Sequence, residues 1–130
     1  MQEGFLMVGE RINPLMASPN SSARKHLLDQ ELARCLRLLT EHGTPEKVIL
    51  FGTLAKGTIH KWSDIDLVVV ERTALPFFQR LRKIRRLLKP RAAMDVLVYT
   101  PEEFERMCAE RPFFREEIMA KGKVIYERGQ

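Results

Sequence analysis

Apolar residues in the first third of the chain repeat at the spacing of one helix face. They are Leu28, Leu32, Cys35, Leu36 and Leu39. Residues separated by three, four, seven or eight positions share a face of an α-helix. Ser21 or Ser22 can cap the start of this helix, and Gly43 followed by Pro45 can end it. The pattern therefore predicts an amphipathic helix with one buried stripe.

Four shorter apolar runs have the length and composition of β-strands. They are Glu46–Phe51, Ile65–Val70, Ala93–Tyr99 and Lys123–Tyr126. The second run is β-branched and apolar on both faces, which is typical of a central strand. The last run is short, which favours a position at the edge of a sheet.

Further helices are predicted between and after these strands. Pro76 opens a helix whose apolar stripe is Phe77, Leu81, Ile84 and Leu88. Thr100 and Pro101, followed by two acids, form a strong helix start. A last helix is predicted at Phe113–Lys121, and a short one inside the loop 52–63, after Thr53. The order α-β-β-α-β-α-α-β predicts an α+β fold, a small mixed β-sheet with helices packed on it.

The size and composition of the chain are those of one globular domain. It has 130 residues, of which 45% are hydrophobic and 30% charged. We expect a poorly defined N-terminal extension at residues 1–20 and a single domain at residues 21–130. No apolar run approaches the roughly 20 residues that span a bilayer, and the N-terminus lacks the pattern of a secretory signal. Two isolated cysteines fit reduced thiols, so a cytoplasmic location is expected.

The formal net charge of +5 permits an anionic ligand or partner without requiring one. Most of the basic residues of the middle of the chain lie in the run Arg80–Arg91. One interpretation is the solvated face of a helix whose apolar stripe packs on the sheet. The other is a basic surface for RNA, DNA or an acidic partner. No aromatic residue interleaves with these cations, which disfavours a stacking platform for single strands.

Three aspartates have the placement of a metal site. Asp64 and Asp66 are two positions apart at the start of a strand, so their side chains leave the same face. Asp95 stands inside the next predicted strand, which is otherwise apolar, and an acid there is costly to bury alone. Carboxylates a few ångströms apart repel each other unless a cation lies between them or one takes up a proton. A hard cation with oxygen ligands, most often Mg²⁺, would stabilise the set.

A turn of small residues stands opposite these acids. Gly52 allows backbone to approach a ligand closely, and the Thr53 hydroxyl can hold a phosphate oxygen. A lone Asp-x-Asp is more often a turn or a helix cap than a metal site. The joint pattern of strand, Gly-Thr, ten residues, Asp-x-Asp and a further Asp on the next strand favours metal-assisted transfer of a phosphoryl or nucleotidyl group.

These residues carry a family resemblance. The chain resembles the nucleotidyltransferase fold of the DNA polymerase β superfamily, whose signature is Gly-Ser, about ten residues, and Asp-x-Asp. More closely, Phe51–Gly57 and Ser63–Asp66 are similar to the motifs Phe-Gly-Ser-x-Ala-Arg-Gly and Ser-Asp-x-Asp of the minimal nucleotidyltransferases of bacteria and archaea. The segments 94–104 and 118–126 also resemble this family, so the resemblance covers about residues 27–127.

The resemblance implies roles for single residues. Asp64 and Asp66 would bind one or two Mg²⁺ ions and the triphosphate of ATP or another nucleotide, and Asp95 would complete the metal site and help activate an acceptor hydroxyl. Gly52 and Thr53 would hold phosphate oxygens. Two departures from the family pattern stand in the turn. Thr53 replaces the usual serine, and the predicted nucleotide-binding residue Lys56 replaces the usual arginine and its planar set of donors.

The resemblance also implies an acceptor and a partner. Larger family members carry a helical domain that helps to bind the acceptor, and we expect this chain to lack one. Minimal enzymes often act with a small helical protein of the HEPN class, as the antitoxin that adenylylates or simply binds a HEPN toxin. The predicted function is therefore transfer of AMP from ATP to a hydroxyl on a partner protein. The alternative is a binding module that neutralises its HEPN partner with weak or lost catalysis.

Two side chains of the loop could assist a nucleotide. Trp62 could stack on a base or pack on the rim of the site, and His60 could donate to a phosphate or be idle.

Overall fold

The computed structural model describes residues 19–60 and 62–129. The extension predicted at residues 1–20 lies outside the described residues up to position 18. The elements in chain order are α1 (Pro19–His42), β1 (Lys47–Phe51), α2 (Gly52–Lys56), β2 (Ile65–Val70), α3 (Phe77–Leu88), β3 (Met94–Tyr99), α4 (Pro101–Glu110), a π-helix (Phe114–Ala120) and β4 (Lys123–Glu127).

The four strands form one mixed sheet in the order β3-β2-β1-β4. β1 pairs antiparallel with both β2 and β4, whereas β2 and β3 are parallel. The prediction of an α+β fold is therefore confirmed. β2 is central and β4 lies at an edge, as their sequences predicted. β3 forms the opposite edge, and α3 makes the crossover that a parallel pair requires.

Helices cover both faces of the sheet. On one face, α1 and α3 pack on alternate residues of the strands, and this core includes Leu28, Cys35, Leu39, Ile84, Leu88, Val48, Leu67 and Val98. On the other face, α4 and the π-helix pack through Phe104, Phe114 and Ile118 on Ile49, Val68 and Val70. The alternation of the two sets along β1 and β2 follows from the period of two in a strand.

The start of α1 differs from the sequence prediction. The helix begins at Pro19, so Ser21 and Ser22 lie inside it, and the prediction that one of them caps its start is wrong. A proline is well tolerated in the first turn because its missing N–H would have no partner there. The leucine stripe could not locate this start, because its first residue, Leu28, lies about two and a half turns after Pro19. The end at His42 agrees with the prediction, and the Gly43 N–H donates to the Leu39 carbonyl at 3.0 Å.

The start of α4 is capped as predicted. The Glu103 N–H donates to the Thr100 hydroxyl at 3.1 Å, and the Thr100 N–H donates to the Glu103 carboxylate at 2.9 Å. This reciprocal pair is a capping box. The last predicted helix is present but wider than an α-helix, since Phe114–Ala120 is a π-helix. Both cysteines are free of disulfide bonds, as predicted.

Arg80 is a structural residue and not part of a basic surface. Its guanidinium pairs with Glu103 at 2.6 Å and also donates to the carbonyls of Leu75 and Val98. Its side chain is 9% exposed. Including Arg80 in a basic surface was therefore wrong. The remaining cations of α3 and its end are exposed, on the face opposite the apolar stripe: Arg82, Lys83, Arg85, Arg86 and Lys89. Binding of a nucleic acid there stays a prediction.

The described part of the chain contains no helix that combines the length and the apolar character needed to cross a bilayer.

The Arg80–Glu103 pair predicts an acid-dependent loss of stability. Hydrogen bonds from Arg80, and then from the Thr100 backbone, lower the pKa of Glu103 to about 2. The stabilisation is therefore complete above the ordinary value of 4.5 and is lost as the pH falls toward 2. We expect Glu103→Gln to lower the free energy of unfolding by about 2 kcal/mol at pH 7, between the values for exposed and buried pairs, with a smaller difference at pH 3.

The matched control is Glu102→Gln, which removes the neighbouring carboxylate from an exposed pair with Arg72 at 3.2 Å. Its effect on the free energy of unfolding should be much smaller than that of Glu103→Gln, because both partners of this pair are exposed to solvent. Urea unfolding at both pH values measures each difference, and equal effects of the two variants would contradict a structural role for Arg80.

Candidate active site

The sheet brings the three predicted aspartates together. Asp64 directly precedes β2, Asp66 is the second residue of β2, and the parallel register places Asp66 opposite Asp95 of β3. Paired residues of adjacent strands point to the same face of a sheet. One carboxylate oxygen from each of the three aspartates lies within 4.8 Å of the other two. The acidic triad predicted from sequence is thus a spatial cluster.

The burial of the triad differs from the sequence argument. β3 is an edge strand and Asp95 is exposed, so the expectation that Asp95 carries a burial penalty is wrong. Asp64 and Asp66 are half-buried, and Asp66 lies in the central strand β2. Burial raises its pKa to about 6, with further contributions from the negative charges of Asp64 and Asp95. A cation bound among the three carboxylates would offset both causes.

Gly52 is required by the approach of Asp66 to the backbone. Gly52 follows β1, and Phe51, the last residue of β1, is paired with Asp66. The backbone of Gly52 has a φ of +77°, and a Cβ atom there would overlap the Asp66 carboxylate. The sequence argument assigned this glycine to the approach of a ligand. In the structure, the absence of a side chain at Gly52 first of all leaves room for the Asp66 carboxylate. Any side chain there would displace this acid of the triad.

Thr53 is joined to the residue that precedes the acids. The hydroxyl oxygens of Thr53 and Ser63 lie 2.9 Å apart, and Ser63 is only 2% exposed. The His60 N–H donates to the Ser63 hydroxyl at 2.9 Å. The Ser63 carbonyl accepts two hydrogen bonds from the guanidinium of Arg24, at 2.9 and 2.7 Å. These bonds connect α1, α2 and the start of β2 beside the triad.

Lys56 makes an ion pair with the π-helix. Its ammonium lies 2.8 Å from the carboxylate of Glu117, which also pairs with Lys121 at 3.0 Å. The hydrogen bond from Lys56 is the largest cause that lowers the pKa of Glu117. A nucleotide phosphate would therefore have to compete with Glu117 for this cation.

The two aromatic candidates of the loop lie at the surface. Trp62 is 76% exposed, and its backbone N–H donates to Nδ1 of the exposed His60 at 3.2 Å. This bond helps to shape the turn between residues 60 and 63, which a second bond from the Ser63 N–H to the His60 carbonyl closes.

Sequence reasoning missed three residues that shape the site. Ser63 belonged to the motif, yet its hydroxyl received no role. Arg24 and Glu117 were not considered, because each reaches the site from a distant element, α1 or the π-helix. Neither an arginine near the start of a long helix nor an acid in the first turn of a later helix gives a sequence signal for such contacts.

The donor set fits a hard divalent cation. Mg²⁺ prefers carboxylate oxygens and is held by one or two carboxylates together with substrate phosphates. Asp64, Asp66 and Asp95 supply such oxygens within mutual reach, with Gly52 and Thr53 beside them.

Two solved structures are similar to this chain. A predicted nucleotidyltransferase from Sulfolobus solfataricus has a similar fold in its crystal structure, with a TM-score of 0.62 and 17% identity over 86% of this chain and 91% of that chain. A crystal structure of a toxin-antitoxin with AMP-PNP matches with a TM-score of 0.44 and 20% identity, over 75% of this chain and 74% of that chain. No curated protein sequence matches.

The family is established by sequence. Residues 32–125 match the family described as "Nucleotidyltransferase domain", and this range contains every residue of the predicted site. Because the match covers most of its length, the chain belongs to the nucleotidyltransferase domain family.

Proposed function

We propose that this nucleotidyltransferase is Mg²⁺-dependent and transfers AMP from ATP to a hydroxyl on a partner protein. The observation that carries the proposal is the cluster of Asp64, Asp66 and Asp95 with mutual oxygen distances within 4.8 Å, in a chain of this family. The Gly52–Thr53 turn beside the cluster supports a place for the triphosphate.

Asp64, Asp66 and Asp95 would hold one or two Mg²⁺ ions. Bound there, Mg²⁺ supplies positive charge that stabilises the negative charge developing on the phosphate oxygens. The Thr53 hydroxyl would donate a hydrogen bond to a phosphate oxygen, and Gly52 keeps the turn close to the acids. Lys56, released from Glu117, would add a second cationic contact to the triphosphate.

The exposure of Asp95 supports a role at the acceptor. An acceptor hydroxyl can reach this edge strand, and the Asp95 carboxylate would take its proton as the oxygen attacks the α-phosphorus of ATP. The bond from that phosphorus to the bridging oxygen breaks, pyrophosphate leaves, and the AMP group becomes attached to the acceptor oxygen.

The proposal that the acceptor is a partner protein is supported by the resemblance to the minimal nucleotidyltransferases. This resemblance lies in Phe51–Gly57 and Ser63–Asp66. We propose a helical protein of the HEPN class as the acceptor, with this chain as the antitoxin of the pair.

A second candidate function is neutralisation by binding alone. It is favoured by the state of one predicted nucleotide ligand, since the Lys56 ammonium is paired with the carboxylate of Glu117. If this ion pair persists, Lys56 is not available to the triphosphate, and the chain would cover its partner without modifying it.

Transfer of label from ATP distinguishes the two functions. We expect ATP labelled at the α-phosphate, with Mg²⁺ and the HEPN-class product of a neighbouring gene, to label that protein, and ATP labelled at the γ-phosphate to leave it unlabelled. Asp64→Ala with Asp66→Ala should abolish the transfer, because it removes two of the three metal ligands. Neutralisation that survives in this double variant, without label in the wild type, would support binding alone.

Metal binding should depend on the protonation of Asp66. Because its pKa is about 6, protons compete with Mg²⁺ at this carboxylate below that pH. We expect Mg²⁺ affinity, measured by isothermal titration, to fall about fivefold between pH 6 and pH 5, as the ionised fraction of Asp66 falls. In Asp66→Asn the affinity should be weak at every pH, without this dependence.

The ionised carboxylate of Asp66 should destabilise the folded chain when no metal is bound. The pKa of Asp66 in the folded chain lies above its ordinary value of 3.8, so the folded chain binds more protons than the unfolded chain between pH 3.8 and about 6. The free energy of unfolding therefore decreases as the pH rises through this window. Asp66→Asn should raise it by about 2 kcal/mol at pH 7 and by much less at pH 4, as measured in urea without metal.

Gly52 and Gly57 allow a matched test of the Gly52–Asp66 contact. Both have a positive φ, +77° and +80°, but a Cβ at Gly57 would have no neighbour within 4 Å. Gly57→Ala should cost only the backbone strain, about 1–2 kcal/mol of stability, and keep Mg²⁺ affinity. Gly52→Ala should cost more and weaken Mg²⁺ binding at least tenfold, because the methyl group displaces Asp66. Equal Mg²⁺ affinities in the two folded variants would contradict this assignment.

A further inference from the structure

The Ser63 hydroxyl is buried between two partners. Ser63 is 2% exposed, and among the described residues its oxygen has two hydrogen-bonding neighbours, the His60 N–H and the Thr53 hydroxyl, each at 2.9 Å. The His60 N–H can only donate. The direction of the bond between the two hydroxyls therefore decides where both of their protons lie.

Counting donors fixes that direction. If Thr53 donated to Ser63, the buried Ser63 oxygen would accept twice and its own proton would have no acceptor among the described residues. A buried donor without an acceptor costs about 1–3 kcal/mol. If Ser63 donates to Thr53, every buried group is satisfied, and the proton left over belongs to Thr53. Thr53 is partly exposed, so its proton can point out of the protein.

The free proton of Thr53 lies beside the acids. Thr53 follows Gly52, which is in contact with Asp66, and Ser63 precedes Asp64. The bond between the two hydroxyls therefore joins the neighbours of two triad residues. A hydroxyl held at this place as an accessible donor suits an anionic oxygen, and the three carboxylates beside it have no proton to offer when ionised.

Arg24 holds Ser63 in place from another element. Its Nε and Nη2 atoms both donate to the Ser63 carbonyl, at 2.9 and 2.7 Å, across 39 residues of sequence. The guanidinium is a planar, always charged donor, so the two bonds fix both the position and the orientation of this peptide group. The turn that carries the Ser63 hydroxyl is thereby anchored to α1.

We propose that Ser63 and Arg24 are positioning residues, which hold the Thr53 hydroxyl with its proton directed at a phosphate oxygen of the nucleotide. The proposal rests on the proposed function and assigns these residues to its triphosphate. Ser63 acts through Thr53, and Arg24 acts through Ser63. The bond between Thr53 and Ser63 then persists when the nucleotide binds, because Thr53 accepts in that bond and donates to the phosphate.

A double-mutant cycle tests whether Arg24 and Ser63 act through Thr53. The probe is AMP-PNP with Mg²⁺, titrated calorimetrically into the full chain, and the second readout is the affinity for Mn²⁺ alone. Thr53→Val should weaken AMP-PNP binding by about tenfold or more, as expected for one hydrogen bond to a charged group, and Ser63→Ala by about threefold to tenfold, the range of one ordinary hydrogen bond. Neither variant should change Mn²⁺ affinity more than about twofold, because the triad is intact.

The decisive measurement is the double variant. Because Ser63 acts through Thr53, Ser63→Ala should add nothing in the Thr53→Val background, and the same holds for Arg24→Met. Arg24→Lys, which keeps one donor, should fall between Arg24→Met and the wild type. The matched controls Arg37→Met on α1 and Thr58→Val, whose side chains are exposed, should bind AMP-PNP like the wild type.

The outcomes separate the two proposals. A wild-type chain that binds neither Mn²⁺ nor AMP-PNP would overturn the proposed function, and this inference with it. A wild-type chain that binds both, with additive effects of Ser63→Ala and Thr53→Val, would overturn the positioning role alone. If Ser63→Ala does not fold, the cycle of Arg24→Met with Thr53→Val gives the same decision.

Discussion

The structure depends on holding three carboxylates together at one end of a parallel strand pair. Register sets Asp66 opposite Asp95, and the residue before β2 adds Asp64, so the charges are brought within 4.8 Å by backbone geometry. Their mutual repulsion and the burial of Asp66 oppose folding at neutral pH. The fold must therefore constrain this region more firmly than an uncharged strand end would require.

Several contacts hold the segments that carry the acids in place. Gly52 leaves room for Asp66, Ser63 ties the loop to Thr53, and Arg24 anchors that loop to α1. On the far side of the sheet edge, the Arg80–Glu103 pair joins α3 to α4 and stabilises the crossover that leads to β3. Stability gained in these contacts offsets the cost of a site whose charges favour a bound cation.

The sequence predicted what local patterns determine. β2 was found at its predicted bounds because an apolar run on both faces fits only a central strand, and the Thr100 cap was correct because its signal is contained in four residues. The start of α1, the burial of Arg80 and the exposure of Asp95 were not predicted. Each depends on which element packs beside the residue, and periodicity within one element carries no information about its neighbours.

The parallel pairing of β2 with β3 has a consequence for the order of folding. β1 and β2 are antiparallel neighbours in sequence, so Asp64 and Asp66 can be placed early by a local hairpin. Asp95 arrives only after α3 has crossed over and β3 has docked, which is a non-local and slower event. A folding chain therefore holds only two of the three acids until β3 pairs with β2, and its capacity to retain a divalent ion reports that this parallel pairing has formed.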